Sequence, residues 1–253
     1  MTGKIVIVTG ASSGIGKAAA ALFAQNGATV IAVGRNEKEL VALQDSLGSK
    51  RENVKIHLAD VNEYSQIDRM VSETVQAFGK IDVLVNSAGI IKNGTIENTT
   101  LDEWDKMMNV NLRSVFYLMQ KCIPHMIESK GNIVNVSSVA GTRSFPNVLA
   151  YAVSKAGIDQ LTRCSALELA AKGIRVNAIN PGVVVTNLHT RSGMDAESYE
   201  AFLERAKETH PIGRPGTPEE VAELIYYLAS DKAGWITGAT YEIDGGRAQT
   251  CAR

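Results

Sequence analysis

The chain has 253 residues, 45% of them hydrophobic and 21% charged, with 26 lysines and arginines against 27 acids and a formal net charge of −1. That balance suits a globular protein with a sizeable core and excludes a disordered or collagen-like chain. The scattered charge leaves no basic face for nucleic acid or an anionic membrane, and the length allows one large α/β domain or two small ones.

Short apolar runs alternate with longer segments of helical period, which predicts strands near 4–9, 28–33, 53–59, 81–85, 131–137, 174–179 and 239–243 with helices between most of them. The first run, Lys4-Ile5-Val6-Ile7-Val8, starts so early that no leader segment is expected. It leads into Thr9-Gly10-Ala11-Ser12-Ser13-Gly14-Ile15-Gly16 and a helix that closes at Gly27. The second run ends Val33-Gly34-Arg35-Asn36, the third leads to Asp60-Val61, and the next helix closes at Gly79. The fourth run leads to Asn86-Ser87-Ala88-Gly89, and a long helix carrying Asn109-Val110-Asn111 follows. The fifth, Ile133-Val134-Asn135-Val136-Ser137-Ser138, precedes a helix holding Tyr151 and Lys155 that ends before Gly173. The sixth leads to Pro181-Gly182, Val184 and Thr186. Thr217-Pro218-Glu219-Glu220 then reads as an N-cap, a first-turn proline and an acidic first turn. Runs apolar on both faces indicate a parallel sheet covered by helices on both sides, hence a doubly wound Rossmann-type α/β fold with a seven-stranded parallel sheet. No linker, repeat or low-complexity tract interrupts it, so 1–253 reads as one dinucleotide-binding domain. The mostly polar stretch at about 187–215 is an insertion suited to a substrate lid.

Two clusters carry chemistry. In the glycine turn, Gly10 permits the tight strand exit, Gly14 lets backbone approach a pyrophosphate, and Gly16 allows close packing of helix on strand, with the helix N-terminus facing the phosphates. Ser12 and Ser13 can add hydroxyl donors. At the end of the second strand no carboxylate stands ready for a ribose 2′-hydroxyl, whereas Arg35 can make charge-assisted bonds to a 2′-phosphate, which points to NADP(H) over NAD(H). Asn36 either assists at that phosphate or caps the next helix. In the second cluster, Tyr151 and Lys155 lie one helical turn apart on one face, where an ammonium favours a phenolate able to trade protons near neutral pH.

Together, the glycine turn, Ser138, Tyr151-Ala152-Val153-Ser154-Lys155 and Asn111 resemble the short-chain dehydrogenase/reductase family from Lys4 to about Gly246. The resemblance implies a catalytic group of Asn111, Ser138, Tyr151 and Lys155. Tyr151 would act as general acid in carbonyl reduction, Lys155 would hold the ribose of the nicotinamide, and Asn111 would anchor a water linking Lys155 to solvent. Ser138 would donate to the substrate oxygen as charge develops there. Asp60 and Val61 resemble the adenine-binding pair, although Asp60 equally reads as a helix cap. Asn86, Ala88 and Gly89 resemble the turn after the fourth strand, with Ser87 in place of the usual second asparagine. Pro181, Gly182, Val184 and Thr186 resemble the nicotinamide-side segment. Ile15 completes the cofactor contacts, and a homotetramer is expected through helices near 102–128 and 150–172, with Phe116, Leu118 and Met119 compatible with that contact.

Pocket walls are expected from the Gly141-to-Leu149 loop and the lid, including Phe145, Val148, Leu188, Met194, Tyr199 and Phe202. These are mostly apolar and favour a hydrophobic ketone or secondary alcohol, although Arg143 or Arg191 can reach an anionic tail. The expected activity is an NADP(H)-dependent carbonyl or ketosteroid reductase. A 3-oxoacyl thioester reductase is the alternative within the family, and a non-catalytic dinucleotide-sensing scaffold the alternative of another class. His57, His125, His189 and His210 show no metal-ligand spacing and read as surface or lid histidines, His189 being the one at the start of the lid. Cys122, Cys164 and Cys251 are far apart and read as buried free thiols of a reducing, cytoplasmic compartment. No apolar run reaches the ~18–20 residues needed to span a bilayer.

Overall fold

The computed structural model describes residues 1–250. Its strands are β1 (Ile5–Thr9), β2 (Thr29–Gly34), β3 (Val54–Leu58), β4 (Val83–Asn86), β5 (Asn132–Val136), β6 (Arg175–Pro181) and β7 (Thr240–Ile243). All are parallel in one seven-stranded sheet ordered β3-β2-β1-β4-β5-β6-β7. Each predicted strand is present, displaced by at most two residues at either end. The helices are α1 (Gly14–Gln25), α2 (Glu37–Ser46), α3 (Tyr64–Phe78), α4 (Leu101–Met108), α5 (Ser114–Cys122), α6 (Val139–Thr142), α7 (Leu149–Leu169), α8 (Leu188–Arg191), α9 (Ala196–Thr209) and α10 (Pro218–Ala229).

Strand side chains alternate between two separate cores. Val6, Val8, Val30, Ala32, Val83, Val85 and Val134 face α1 and α10, whereas Ile7, Ile31, Val33, Leu84 and Ile133 face α3, α5 and α7. Both faces are therefore apolar, as expected where helices cover each side. Each fully buried Val, Ile or Leu contributes roughly 1.5–3 kcal/mol relative to an exposed one.

Local chemistry sets the helix starts. Thr217 caps α10 through a reciprocal capping box with Glu220 behind a first-turn Pro218, and Thr100 and Glu103 do the same for α4. Asp195 caps α9 by accepting from the Ser198 amide. Strand order reverses between β1 and β4, so the turns after those strands open a crevice at the carboxyl edge of the sheet.

Candidate active site

A cleft of about 1790 Å³ follows this crevice, well above the ~300–1,000 Å³ of most small-ligand pockets. Its floor is the glycine turn. Gly10 has φ +69°, and a Cβ there would sit 2.9 Å from the Ala88 amide nitrogen; at Gly16 it would meet the Gly10 carbonyl oxygen at 2.5 Å. Only glycine fits either place. Ser13, at the start of α1, makes no side-chain cap bond, so first-turn amides of α1 are available to an anion. This glycine-built cradle suits the pyrophosphate of a dinucleotide.

Gly10, Ser12, Ser13, Gly14 and Ile15 line the cleft, as do Arg35, Asp60, Val61, Ala88, Gly89, Pro181, Gly182, Val184 and Thr186. Arg35 Nη1 lies 3.3 Å from Asp60 Oδ2, with the arginine side chain 72% exposed. Such an exposed pair is worth at most about 1 kcal/mol, so Arg35 is readily recruited by a stronger anion. Asp60 does not cap α3; its Oδ1 accepts from the Asn62 amide at 2.9 Å.

Four predicted cofactor or catalytic residues do not line the cleft. Asn36 is engaged as the cap of α2, accepting from the Glu39 amide at 3.3 Å. Asn86 turns into the sheet, where its Nδ2 donates to Asn135 Oδ1 at 2.8 Å, and Asn135 donates onward to Thr162 Oγ1 at 2.9 Å. The residue facing the cleft instead is Ser87. Gly16 acts through packing alone, as its spacing predicts. Asn111 is buried in a π-helical turn, Asn109–Arg113, joining α4 to α5. Its Oδ1 accepts from the Ile90 amide at 2.9 Å, and its Nδ2 donates to the Ile90 carbonyl at 2.9 Å and to Ser154 Oγ at 3.1 Å. It thus fixes the turn after β4 against α7, and its Oδ1 and Lys155 Nζ lie 3.4 and 3.7 Å from where a Gly89 Cβ would stand.

Ser138, Tyr151 and Lys155 meet at the end of β5 and the start of α7. Ser138 caps α6, its Oγ accepting from the Ala140 amide at 3.1 Å, so its O–H remains the donor it can turn toward Tyr151 or a ligand. Tyr151 packs with Met107, Ala140 and Ala150 under Trp104, Phe145 and Val148. Burial raises its pKa above the ordinary tyrosine value, opposed by a hydrogen bond with Ser138. The direction is the reverse of the lowering expected from Lys155, because burial dominates. Lys155 Nζ donates to the Val136 carbonyl at 2.8 Å and sits 5.7 Å from the Tyr151 ring centre. Its pKa is pushed down to about 8 by burial, with the Asp159 carboxylate pulling the other way.

Several residues around this group carry no signal in a linear reading. Asp159, buried one turn beyond Lys155, accepts from Asn180 Nδ2 at 2.9 Å, and the same amide donates to the Ser138 carbonyl at 3.0 Å. Ser137 donates to the Lys155 carbonyl at 3.1 Å. The end of β6 therefore braces both Ser138 and the Lys155 helix, and only the 151, 155, 159 helical spacing hints at Asp159. Arg191 donates to Ser13 Oγ at 2.8 Å, so it reaches the glycine turn and not a substrate tail. His210, within the 187–215 stretch, is buried: its Nε2 accepts from the Val183 amide at 3.0 Å and its Nδ1 lies 2.7 Å from the Ala206 carbonyl. His189 lines the cleft against the Phe202 ring, and burial, then the Arg247 charge, lower its pKa.

Of the expected walls, Phe145, Val148, Leu188 and Phe202 line the cleft, whereas Met194 and Tyr199 do not. The Tyr199 hydroxyl instead clasps Thr186, donating to its carbonyl at 2.9 Å and accepting from its amide at 3.2 Å. Leu118 and Met119 belong to the core, and of that trio only Phe116 is exposed. Cys122 is buried and Cys164 exposed, both as free thiols, while Cys251 lies outside the described residues.

The family profile described as enoyl-(acyl carrier protein) reductase matches residues 10–248, which spans the glycine turn, Ser138, Tyr151 and Lys155. The chain belongs to the short-chain dehydrogenase/reductase family. It is 42% identical over 251 residues to the 3-oxoacyl-(acyl-carrier-protein) reductase FabG of Thermotoga maritima, covering 97% of this chain and 98% of that one. It is 40% identical over 262 residues to a 3beta-hydroxysteroid dehydrogenase of Mediterraneibacter gnavus, with 96% and 94% covered. A crystal structure of a Caenorhabditis elegans short-chain dehydrogenase/reductase of unknown function with cofactor superposes with a TM-score of 0.94 at 38% identity, over 99% of this chain and 97% of that one. As a member of this family the protein is an oxidoreductase acting on CH–OH and C=O groups, and the family implies a nicotinamide dinucleotide cofactor. Among the described residues, no helix is long and apolar enough to cross a membrane.

Proposed function

We propose that this short-chain dehydrogenase/reductase interconverts an apolar ketone and its secondary alcohol with NADP(H). The observation that carries the reading is Tyr151 enclosed beside Lys155 and Ser138, across the cleft from a glycine cradle at the strand-order reversal. When bound, the nicotinamide supplies or accepts the hydride at the carbonyl carbon. Tyr151, kept neutral by burial, gives its phenolic proton to the carbonyl oxygen in reduction and takes it back in oxidation. Ser138 donates its O–H to the same oxygen as negative charge develops there. Lys155, mostly charged at neutral pH, stabilises the phenolate left behind and holds the nicotinamide ribose. Asn111 keeps the Gly89–Ile90 turn and α7 in register for that contact and, by family resemblance, anchors the water that links Lys155 to solvent.

In this reading Ser12, Ser13, Gly14 and Ile15 take the pyrophosphate, Asp60 and Val61 the adenine, and Pro181, Gly182, Val184 and Thr186 the nicotinamide side. One domain carries the site under a lid at 187–215, and free thiols at Cys122 and Cys164 suit a reducing cytoplasm. Exposed Phe116 on α5 supports contact between copies in a tetramer. Packing of Trp104, Phe145 and Val148 around Tyr151 supports an apolar substrate. A 3-oxoacyl thioester is the alternative, favoured by the full-length likeness to the Thermotoga reductase.

NADP(H) preference rests on Arg35 at the end of β2 with no carboxylate beside it on that strand. Arg35→Ala is expected to weaken NADPH binding by about 10- to 100-fold, the worth of hydrogen bonds to a charged group, with NADH binding changed by no more than about twofold. Fluorescence titration of both cofactors checks this, and equal losses for the two remove Arg35 from cofactor choice.

A further inference from the structure

We propose that the substrate carries a carboxylate, which the guanidinium groups of Arg247 and Arg205 receive in the cleft, assisted by Arg143. This inference rests on the ketone reductase reading and adds an anionic end to the apolar body of the substrate.

The arginines divide into two sets. Arg35, Arg51, Arg69 and Arg214 pair with carboxylates. Arg163 donates to Gln160, Arg175 to backbone carbonyls, and Arg191 to Ser13, while Arg113 lies over the Tyr64 ring. Among the described residues, Arg143, Arg205 and Arg247 alone make no side-chain hydrogen bond and no ring contact other than that of Arg247 with Phe145. All three line the cleft that holds Tyr151.

They come from three elements: the loop after α6, the lid helix α9, and the turn after β7. Arg247 stacks 4.7 Å from the Phe145 ring centre, a contact that orients the planar fork and leaves its N–H donors to face a ligand. Asp244 makes no ion pair with it and accepts instead from the Gly246 amide at 2.9 Å and the Ala248 amide at 2.6 Å. Burial lowers the pKa of Arg247, with Asp244 opposing and the Arg205 charge adding to the shift. Two like charges lining one cleft repel, and an anion bound there relieves that repulsion. Lys106 adds a further positive charge to the lining, and Glu208 is the acid of α9 that shares it. Phe145 and Phe202 meanwhile give the intervening cleft an apolar wall, which suits a carbon skeleton with one charged end.

The test compares 4-acetylbenzoate with its methyl ester, two ketones of nearly equal size, using NADPH and wild-type, Arg247→Leu and Arg205→Gln proteins. The acid is expected to exceed the ester in kcat/KM by at least about tenfold, the worth of one hydrogen bond to a charged group, and the acid-to-ester ratio should fall toward one in each variant and as salt rises. Arg205→Gln, on an exposed helical surface, guards against misfolding of the other variant. A wild-type ratio near or below one, with both ketones reduced, overturns the carboxylate site and leaves the ketone reductase reading standing. If neither ketone is reduced, equilibrium binding of 4-acetylbenzoate to the NADP-saturated protein decides. Salt-sensitive binding lost in Arg247→Leu upholds the anion site while the ketone reading fails, and no binding overturns both.

Discussion

Tyr151→Phe is expected to lower kcat for ketone reduction by about a thousandfold, within the range that a positioned general acid supplies, while NADPH affinity and melting temperature stay close to wild type. The ring, packed among Met107, Ala140 and Ala150, is kept, so the apolar cluster is not opened. Only the phenolic O–H is lost, and Ser138 retains its bond from the Ala140 amide. The loss therefore falls on proton transfer to the carbonyl oxygen and not on folding. Because burial holds the phenol above its ordinary pKa, the tyrosine is present as the acid throughout the neutral range, ready to donate. Steady-state kinetics with cofactor titration checks this. A variant with more than about a tenth of wild-type kcat contradicts a general-acid role, since such a residue contributes at least about a hundredfold.

Lys155→Met is expected to abolish turnover nearly as thoroughly while leaving stability at pH 7 little changed. Two terms oppose each other. Removing a buried ammonium relieves a penalty on the order of 3 kcal/mol, from the fall of its pKa from 10.5 to about 8. Against that, the Val136 carbonyl loses the 2.8 Å bond from Nζ, a loss of roughly 1–3 kcal/mol for a buried polar group. The pH dependence separates them. Between about 8 and 10.5 the unfolded chain still holds the lysine proton that the folded chain releases, so the folded wild type gains stability as pH rises through that window. The melting temperature of wild type minus that of Lys155→Met should therefore grow from pH 8 to pH 10, whereas a flat difference shows that Lys155 keeps its proton. In the same account kcat/KM for reduction declines above about pH 8, as the lysine loses the charge that steadies the phenolate.

These effects arise from residues whose spacing along the chain is legible. The two-sided apolar runs gave away the parallel sheet because each strand feeds two separate cores. The glycine turn and the 151–155 step were equally readable because one turn of backbone fixes both. Pairings across long separations were not legible. Asn86 resembles a cofactor contact of the family's turn after the fourth strand, but its amide is bound to Asn135 on the adjacent strand. Asn180, from β6, braces both Asp159 and the Ser138 carbonyl, which no local pattern signals. Arg191 reaches Ser13 from the far end of the sequence, and Arg247 meets Phe145 only because the turn after β7 folds back beside α6. Leu118, Met119 and Phe116 have similar hydropathy, and only the placement of α5 on the sheet separates core from surface. The direction of the tyrosine pKa shift is not legible for the same reason, since burial depends on the whole cluster around it.

The measurement that tests the central claim most directly is steady-state turnover of a panel of ketones by the wild-type protein with NADPH and NADH side by side. The account predicts reduction of apolar ketones with NADPH, at a kcat/KM above that with NADH by at least about tenfold, the worth of one hydrogen bond to a charged group. Tight NADPH binding without turnover of any ketone contradicts it and makes the chain a dinucleotide-binding scaffold.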